Sequence, residues 1–185
     1  TVCSGTAGTL TFTGTPGAVV DFSDGTSTFS VTLDASGSAT YTTPILTADA
    51  IYTLVSATTT TPAATAPLTG SATVTVTPLP TATISGTATI CSGSTTIISF
   101  AGTANATVTY TINAGANQTV MLDASGNATV TTAALTANTT YALVSVVGAC
   151  TATVNGSAVV TVLPLPTATI AANTICTGNT GTVTF

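Results

Sequence analysis

Few side chains in this sequence could take part in acid–base, nucleophilic or metal chemistry. Lysine, arginine, histidine and glutamate are all absent. Their absence excludes a histidine-dependent catalytic triad, a phosphate loop with its lysine, and an imidazole metal site. Nucleic-acid binding is excluded as well, because phosphates must be neutralised by basic side chains. The groups that remain are four cysteines and five aspartates, namely Cys3, Cys91, Cys150, Cys176, Asp21, Asp24, Asp34, Asp49 and Asp123.

The aspartates are too few and too scattered to predict a catalytic or metal site. Calcium takes six to eight oxygen ligands. Asp21 and Asp24 could share one ion with backbone carbonyls, but the second half of the chain offers only Asp123. A hydrolytic pair of carboxylates would need a sugar-binding cleft, and aromatic residues make up only 5% of the chain. We therefore expect no catalytic residue, no cofactor and no metal, and we interpret the aspartates as solvated turn residues.

The cysteines mark an internal repeat. Thr1-Val-Cys-Ser-Gly returns as Thr89-Ile-Cys-Ser-Gly and as Thr174-Ile-Cys-Thr-Gly, so successive copies begin 88 and 85 residues apart. Solenoid units are shorter, at roughly 20–50 residues, and this period suits a complete small domain. Pro-Leu-Pro segments form stiff, extended joints between the copies. The predicted domains are residues 1–79, residues 80–165, and the opening of an incomplete third repeat at 166–185.

The second repeat contains two cysteines, and we expect them to form a disulfide, Cys91–Cys150. Closing that 59-residue loop corresponds to roughly 4 kcal/mol at most. The first repeat has Ala64 where Cys150 stands, which leaves Cys3 without a partner in its own repeat. The partner of Cys176 is expected beyond Phe185. The alternative is four reduced thiols, since no CxxC pair or histidine supports zinc, and a disulfide implies an extracellular location.

Alternation of apolar and polar residues predicts an all-β fold. Thr73–Thr77 and Thr107–Ile112 alternate strictly, which places apolar side chains on one face of a strand. No segment has a helical period, and Asp123-Ala-Ser-Gly126 is interpreted as a tight hairpin connection. We expect tandem immunoglobulin-like or fibronectin III-like antiparallel β-sandwiches of about seven strands each. In the second repeat the predicted strands are 82–87, 95–101, 106–112, 118–122, 127–131, 139–147 and 157–163.

Two tyrosines carry a finer signature of this class of sandwich. Leu46 and Tyr52 are six residues apart, as are Leu135 and Tyr141, and both tyrosines begin an apolar strand. This spacing predicts a tyrosine corner, in which the hydroxyl bonds back to upstream main chain. The alternative is that both tyrosines are ordinary strand aromatics.

Four runs together resemble the tandem repeats of giant surface adhesins of gliding Bacteroidetes. They are Pro80-Thr-Ala-Thr-Ile-Ser-Gly, Thr89-Ile-Cys-Ser-Gly, Leu122-Asp-Ala-Ser-Gly and Leu135-Thr-Ala-Asn-Thr-Thr-Tyr. The resemblance implies an extracellular immunoglobulin-like filament that is exported by the type IX system and carried along the cell surface. Ala64 departs from a unit with two cysteines, so the resemblance does not imply a bridge in every repeat.

The function expected from the sequence is structural. The chain would be a non-catalytic stalk segment of a large cell-surface adhesin, whose partners are neighbouring repeats, surface polysaccharide or other surface proteins. Insertion into a membrane is not expected, since no apolar run approaches about 18 residues. Two alternatives remain open: a self-assembling fibre subunit completed by strand addition from a neighbouring chain, and a carbohydrate-binding sandwich.

Overall fold

The computed structural model describes residues 1–60, 62–172 and 174–184, and no helix occurs among them. The chain forms two compact units. Unit 1 consists of Thr1–Pro80 together with Val147–Ala152, and unit 2 consists of Thr81–Val146 together with Thr153–Phe185. The division lies within one residue of the predicted 79/80 boundary. Two features differ from the predicted domains: the tail from residue 166 belongs to unit 2, and a short loop of the second repeat belongs to unit 1.

Unit 1 is a two-layer β-sandwich. Its strands are β1 (Val2–Cys3), β2 (Thr6–Thr13), β3 (Val19–Ser23), β4 (Thr28–Thr32), β5 (Ser38–Leu46), β6 (Ala50–Thr60), β7 (Ala63–Pro67), β8 (Ser71–Val74) and β9 (Val76–Thr77). One layer is the antiparallel pair β2–β5. The other has the order β4-β3-β6-β7, with β8 also paired to β6. The short strands β1 and β9 pair in parallel.

Unit 2 repeats this plan with one additional strand in the smaller layer. Its strands are β10 (Ala82–Ser85), β11 (Ala88–Cys91), β12 (Ile97–Gly102), β13 (Thr107–Ile112), β14 (Asn117–Met121), β15 (Asn127–Thr131), β16 (Thr139–Val147), β17 (Thr151–Thr153), β18 (Ser157–Leu163), β19 (Ala171–Ala172) and β20 (Val183–Thr184). The smaller layer has the order β10-β12-β15, and the larger has the order β11-β18-β16-β13-β14, with β17 also on β16. All seven strands predicted for the second repeat are present, with ends within two residues. Strands β11 and β17 were not predicted, because each is too short to show alternation.

The alternating pattern places one apolar row of each strand between the layers. In β13 the burial alternates residue by residue, with Val108 and Tyr110 buried between partly exposed threonines. Because polar side chains take the other face, the threonine rows stay in solvent without any charge. The buried core of unit 1 includes Leu10, Ala18, Val20, Phe22, Leu33, Tyr52 and Val74. That of unit 2 includes Ile98, Phe100, Val108, Tyr110, Leu122, Tyr141, Leu143, Ala158 and Val160.

The Asp-Ala-Ser-Gly turns do not close hairpins, contrary to the prediction. Asp123–Gly126 connects β14 to β15, which lie in different layers, and the matching turn at Asp34 connects β4 to β5 in the same way. The turn itself is tight: the Gly126 N–H donates to the Asp123 carbonyl at 2.9 Å, and Gly126 has φ +78°. The Gly102 N–H in turn donates to the Gly126 carbonyl at 2.9 Å. This contact holds the turn against the end of β12 and directs the chain into the opposite layer.

Two adjacent isoleucines of β12 test this account of the core. Ile98 is fully buried, whereas Ile97 is 54% exposed. We expect Ile98→Ala to lower the free energy of unfolding by about 2–5 kcal/mol, through lost burial and the cavity that remains. Ile97→Ala removes the same atoms from a solvent-facing position and should cost far less. Urea denaturation of both variants measures the difference, and equal losses would contradict the assignment of faces.

Candidate functional site

The candidate site is the pair of cysteine loops, Cys3–Gly5 in unit 1 and Cys91–Gly93 in unit 2. Cys3 ends β1 and Cys91 ends β11. Each short strand runs parallel to the last strand of its own repeat, so that Cys3 lies beside Thr77 and Cys91 beside Leu163. The two repeats therefore place their first cysteine in the same local structure.

Main-chain hydrogen bonds hold each cysteine loop in the same way. In unit 1 the Ser4 N–H donates to the Thr77 carbonyl at 2.9 Å, and the Gly5 N–H donates to the Leu46 carbonyl at 2.8 Å. Gly5 adopts φ +85°, which favours glycine at this position. The corresponding bonds in unit 2 join Ser92 to Leu163 at 2.8 Å and Gly93 to Leu135 at 2.8 Å.

The disulfide in the structure joins Cys3 to Cys150, so the predicted Cys91–Cys150 pairing is wrong. The two Cα atoms are 5.9 Å apart, and the cysteines have a sequence separation of 147. Cys150 is buried, and it lies between β16 and β17, in the segment Val147–Ala152 that forms part of unit 1. Cys91 and Cys176 are free and exposed.

Strand order explains why Cys91 cannot reach Cys150. The prediction placed their strands in opposite sheets at one end of the sandwich. Instead β11 joins the same sheet as β16, with β18 between them. Cys91 pairs with Leu163 at the carboxyl end of β18. That end of β18 lies beside the start of β16, at Thr139. Cys150 follows the other end of β16, at Val147. Eight strand residues span roughly 26 Å, whereas bridged Cα atoms lie within about 7 Å.

The tyrosine corner is also corrected. Tyr52 and Tyr141 are buried in their cores, but among the described residues no hydrogen bond joins either hydroxyl to upstream main chain. The Leu46 and Leu135 carbonyls accept from the cysteine loops instead, at Gly5 and Gly93. Burial is the main cause that raises the pKa of both tyrosines. The conserved six-residue spacing between the two repeats therefore positions a core aromatic and an acceptor for the cysteine loop.

The aspartates serve as hydrogen-bond acceptors, four of them in unit 1 and Asp123 in unit 2. Asp21 lies in the middle of β3, where it accepts from the Ser30 hydroxyl at 2.6 Å and the Ser56 hydroxyl at 2.9 Å. These bonds from the two neighbouring strands lower the pKa of Asp21. Asp24 accepts hydrogen bonds from the backbone N–H groups of Ser27 and Thr26. Both bonds lower the pKa of Asp24, and the bond from Ser27 has the larger effect. In the described part of the chain, no group of three or more histidine, cysteine or acidic side chains could hold a metal ion.

An open groove lies between the two layers of unit 1. It has a volume of about 630 Å³, and one wall is the stretch of β2 from Gly8 to Thr13. The other wall is Gly70–Val74, and Phe22 and Tyr52 contribute to the apolar floor. Its lining carries no acidic or basic side chain, although Thr1 with its amino group also borders it.

Comparison with known proteins supports the fold class. No protein-family model matches the chain, and no curated protein matches it. Among solved structures, the chain is similar to a marsupial T cell receptor, with a TM-score of 0.57 and 13% sequence identity. The match covers 95% of this chain and 76% of the receptor chain. At this identity the likeness shows the fold alone, an immunoglobulin-like all-β sandwich. Across the described residues no helix has the length and apolar character needed to cross a bilayer.

The aspartate contacts predict a simple pH dependence of stability. The folded-state pKa of Asp21 is lowered, so its contribution is present above the unfolded value of about 3.9 and is lost as the pH falls through the folded value. With no histidine in the chain, the free energy of unfolding should be nearly constant from about pH 5 to 7 and should fall below about pH 4. Urea midpoints across this range provide the measurement.

The variant Ser30→Ala/Ser56→Ala provides the control for that titration. It removes both side-chain donors to Asp21 and leaves the carboxylate in place. Its acid-induced loss of stability should be smaller than that of the parent chain. An unchanged acid limb would show that these hydroxyl bonds do not set the pKa.

Proposed function

We propose that this chain is a non-catalytic stalk segment of a large extracellular cell-surface adhesin, built from serial immunoglobulin-like sandwiches. The observation that carries the proposal is the Cys3–Cys150 disulfide, which covalently closes 147 residues of the chain. The internal repeat and the resemblance to adhesins of gliding Bacteroidetes support it. Attachment to surfaces and gliding motility are the activities in which such a stalk would serve.

The disulfide gives the segment a mechanical role. Tension that enters at the amino terminus reaches Cys3, crosses the S–S bond and continues from Cys150. The residues between them are shielded from that tension while the bond is intact. Once the disulfide is reduced, the load passes to backbone ladders such as β2–β5, in which many hydrogen-bonded pairs resist shear together. A disulfide of this kind persists outside the cell, where the proposed stalk resides.

Cys91 extends this mechanism along a filament. It occupies the same loop as Cys3 but is exposed and free. In the proposed stalk, Cys91 pairs with a loop cysteine equivalent to Cys150 in a following repeat. The first repeat has Ala64 at the position that matches Cys150, so such bridges occur at some joints of the filament and are missing from others.

The partners of the stalk follow from its surface. Neighbouring repeats of the same protein are the first, and surface polysaccharide or other surface proteins are the second. The outward threonine rows offer hydroxyl groups without charge. Individually weak contacts of this type gain strength when many repeats engage at once.

Single-molecule extension tests the mechanical role. When the chain is pulled from its ends in oxidising buffer, only the residues outside the 3–150 loop should extend, which is roughly 125 Å of contour length. Reductant should release the chain between the two cysteines, whose sequence separation of 147 corresponds to about 500 Å. Cys3→Ser should extend fully without reductant, and Cys91→Ser should behave as the parent. Full extension of the oxidised parent would refute the shielding mechanism.

Location tests the stalk function itself. Antibodies raised against this chain should label the outside of intact, unpermeabilised cells that produce it, and immunogold particles should follow extended surface structures. An antibody against a periplasmic or cytoplasmic protein of the same cells should give no label until the cells are permeabilised. If this chain also needed permeabilisation for labelling, the proposal would fail.

A further inference from the structure

One dipeptide in unit 2 has the composition for a spontaneous reaction of the main chain. Asn155 is followed by Gly156, whereas every other asparagine of the sequence is followed by a residue with a Cβ. In such a pair the glycine nitrogen can attack the Cγ atom of the asparagine carboxamide, because no Cβ hinders the approach. In unit 1 the glycine that matches Gly156 is Gly70, and it follows Thr69, which has no carboxamide. The two repeats therefore differ at this point.

The structure leaves both reacting groups of this pair without a hydrogen-bond partner. Asn155 is exposed and lies between β17 and β18. Its carboxamide forms no hydrogen bond with any described residue. The Gly156 N–H donates to none of them either, and the main-chain bond at this residue uses its carbonyl, which accepts from the Leu143 N–H at 2.9 Å. No hydrogen bond within the described chain must therefore break before the two groups react.

The turn at Asp24–Gly25 shows the opposite arrangement of the same groups. The Asp24 Oδ1 atom accepts from the Thr26 N–H at 2.9 Å and from the Ser27 N–H at 2.7 Å. The Gly25 N–H donates to the Ser23 hydroxyl at 3.0 Å. Both the side chain and the following nitrogen are thus held by other partners. Asp24→Asn would place a second asparagine before a glycine, in a turn that restrains the pair.

We propose that Asn155–Gly156 is a self-modification site, at which the asparagine converts to aspartate and isoaspartate in the folded chain. The observation that carries the proposal is the combination of an exposed, unbonded carboxamide with an unbonded glycine N–H directly after it. Sequence alone does not distinguish this setting from the restrained one at Asp24. The proposal does not depend on the stalk function.

The reaction needs water and no other reagent. The Gly156 nitrogen loses its proton to a water base and forms a bond to Cγ of Asn155. The Cγ–Nδ2 bond breaks, and its nitrogen takes up a proton and leaves as ammonia, so that a succinimide ring remains. Water then opens the ring: cleavage of the bond from the ring nitrogen to Cγ gives aspartate, and cleavage of the bond from that nitrogen to the main-chain carbonyl carbon gives isoaspartate. In sum, a water molecule is consumed and an ammonia molecule is released.

The two products should affect unit 2 differently. Aspartate leaves the main chain intact and adds a carboxylate at an exposed position. Isoaspartate lengthens the main chain by a carbon atom immediately before β18, where the chain is closely packed. The Cβ position of Gly156 lies 3.4 Å from Leu143 Cδ1 and 3.5 Å from Ile84 Cγ2, and β18 carries the fully buried Ala158 and Val160. We therefore expect isoaspartate, and not aspartate, to weaken the pairing of β18 with β16.

Timed incubation followed by peptide mapping tests the site. The full chain and its Asp24→Asn variant are kept in mildly alkaline buffer, both folded and in urea, and are then digested with pepsin, since trypsin finds no lysine or arginine. Mass spectrometry measures the conversion of amide to acid at each position. At Asn155 the rate in the folded chain should lie within about a factor of ten of the rate in urea. At position 24 of the variant, folding should slow the reaction at least about tenfold, because three hydrogen bonds must break first.

Two variants at position 155 separate the reaction from its effect on stability. Asn155→Thr installs the residue of unit 1, and its urea midpoint should not change during incubation. Freshly purified Asn155→Asp should unfold at the midpoint of the fresh parent chain. The incubated parent should unfold at lower urea as its isoaspartate content rises, which an isoaspartate-specific methyltransferase measures.

Three results would overturn the proposal. The first is an Asn155 that stays unmodified in the folded chain while the chain in urea reacts. The second is equal slowing by folding at position 155 and at position 24 of the Asp24→Asn variant. The third is a urea midpoint that stays constant as isoaspartate accumulates, which would contradict the predicted effect on β18.

Discussion

The structure depends on the absence of positive charge from its side chains. With no lysine, arginine or histidine, no side chain can form an ion pair with the aspartates. Backbone ladders and the burial of one apolar face per strand must therefore supply the stability. The few carboxylates are held by neutral donors, as Asp21 is by the hydroxyls of Ser30 and Ser56 on the strands at either side. Threonine suits this solution, because it favours strands and remains hydrated on the outer face.

The same constraint made much of the fold predictable. Because the chain has almost no charged residues, the alternation of apolar and polar side chains is easy to recognise in its sequence. The seven strands predicted for the second repeat followed from that alternation. The disulfide could not be predicted in this way. Cys91 is kept from Cys150 by β11, a four-residue strand whose parallel pairing with β18 leaves no periodic pattern in the sequence. A usable signal was present in the cysteine count: one in the first repeat and two in the second favour a pair between repeats. The tyrosine spacing was real, but the carbonyls at Leu46 and Leu135 bind the cysteine loops.

The two repeats present one design in two states. The cysteine loop is bridged at Cys3 and free at Cys91. The smaller layer includes β10 in unit 2, whereas in unit 1 β2 pairs with β5 alone among the described residues. The interior of the sandwich is nearly constant between the repeats, whereas the pairing of the cysteine in the shared loop differs.

The long disulfide loop also changes what a cut in the backbone can do. Trypsin-like proteases find no lysine or arginine in this chain, but less selective proteases can cleave its exposed turns. A single peptide bond broken anywhere between Cys3 and Cys150 leaves both pieces joined through sulfur. The nicked molecule keeps its covalent continuity, and its strands can stay paired around the break. Over that span, severing the protein requires a second event, namely reduction of the disulfide.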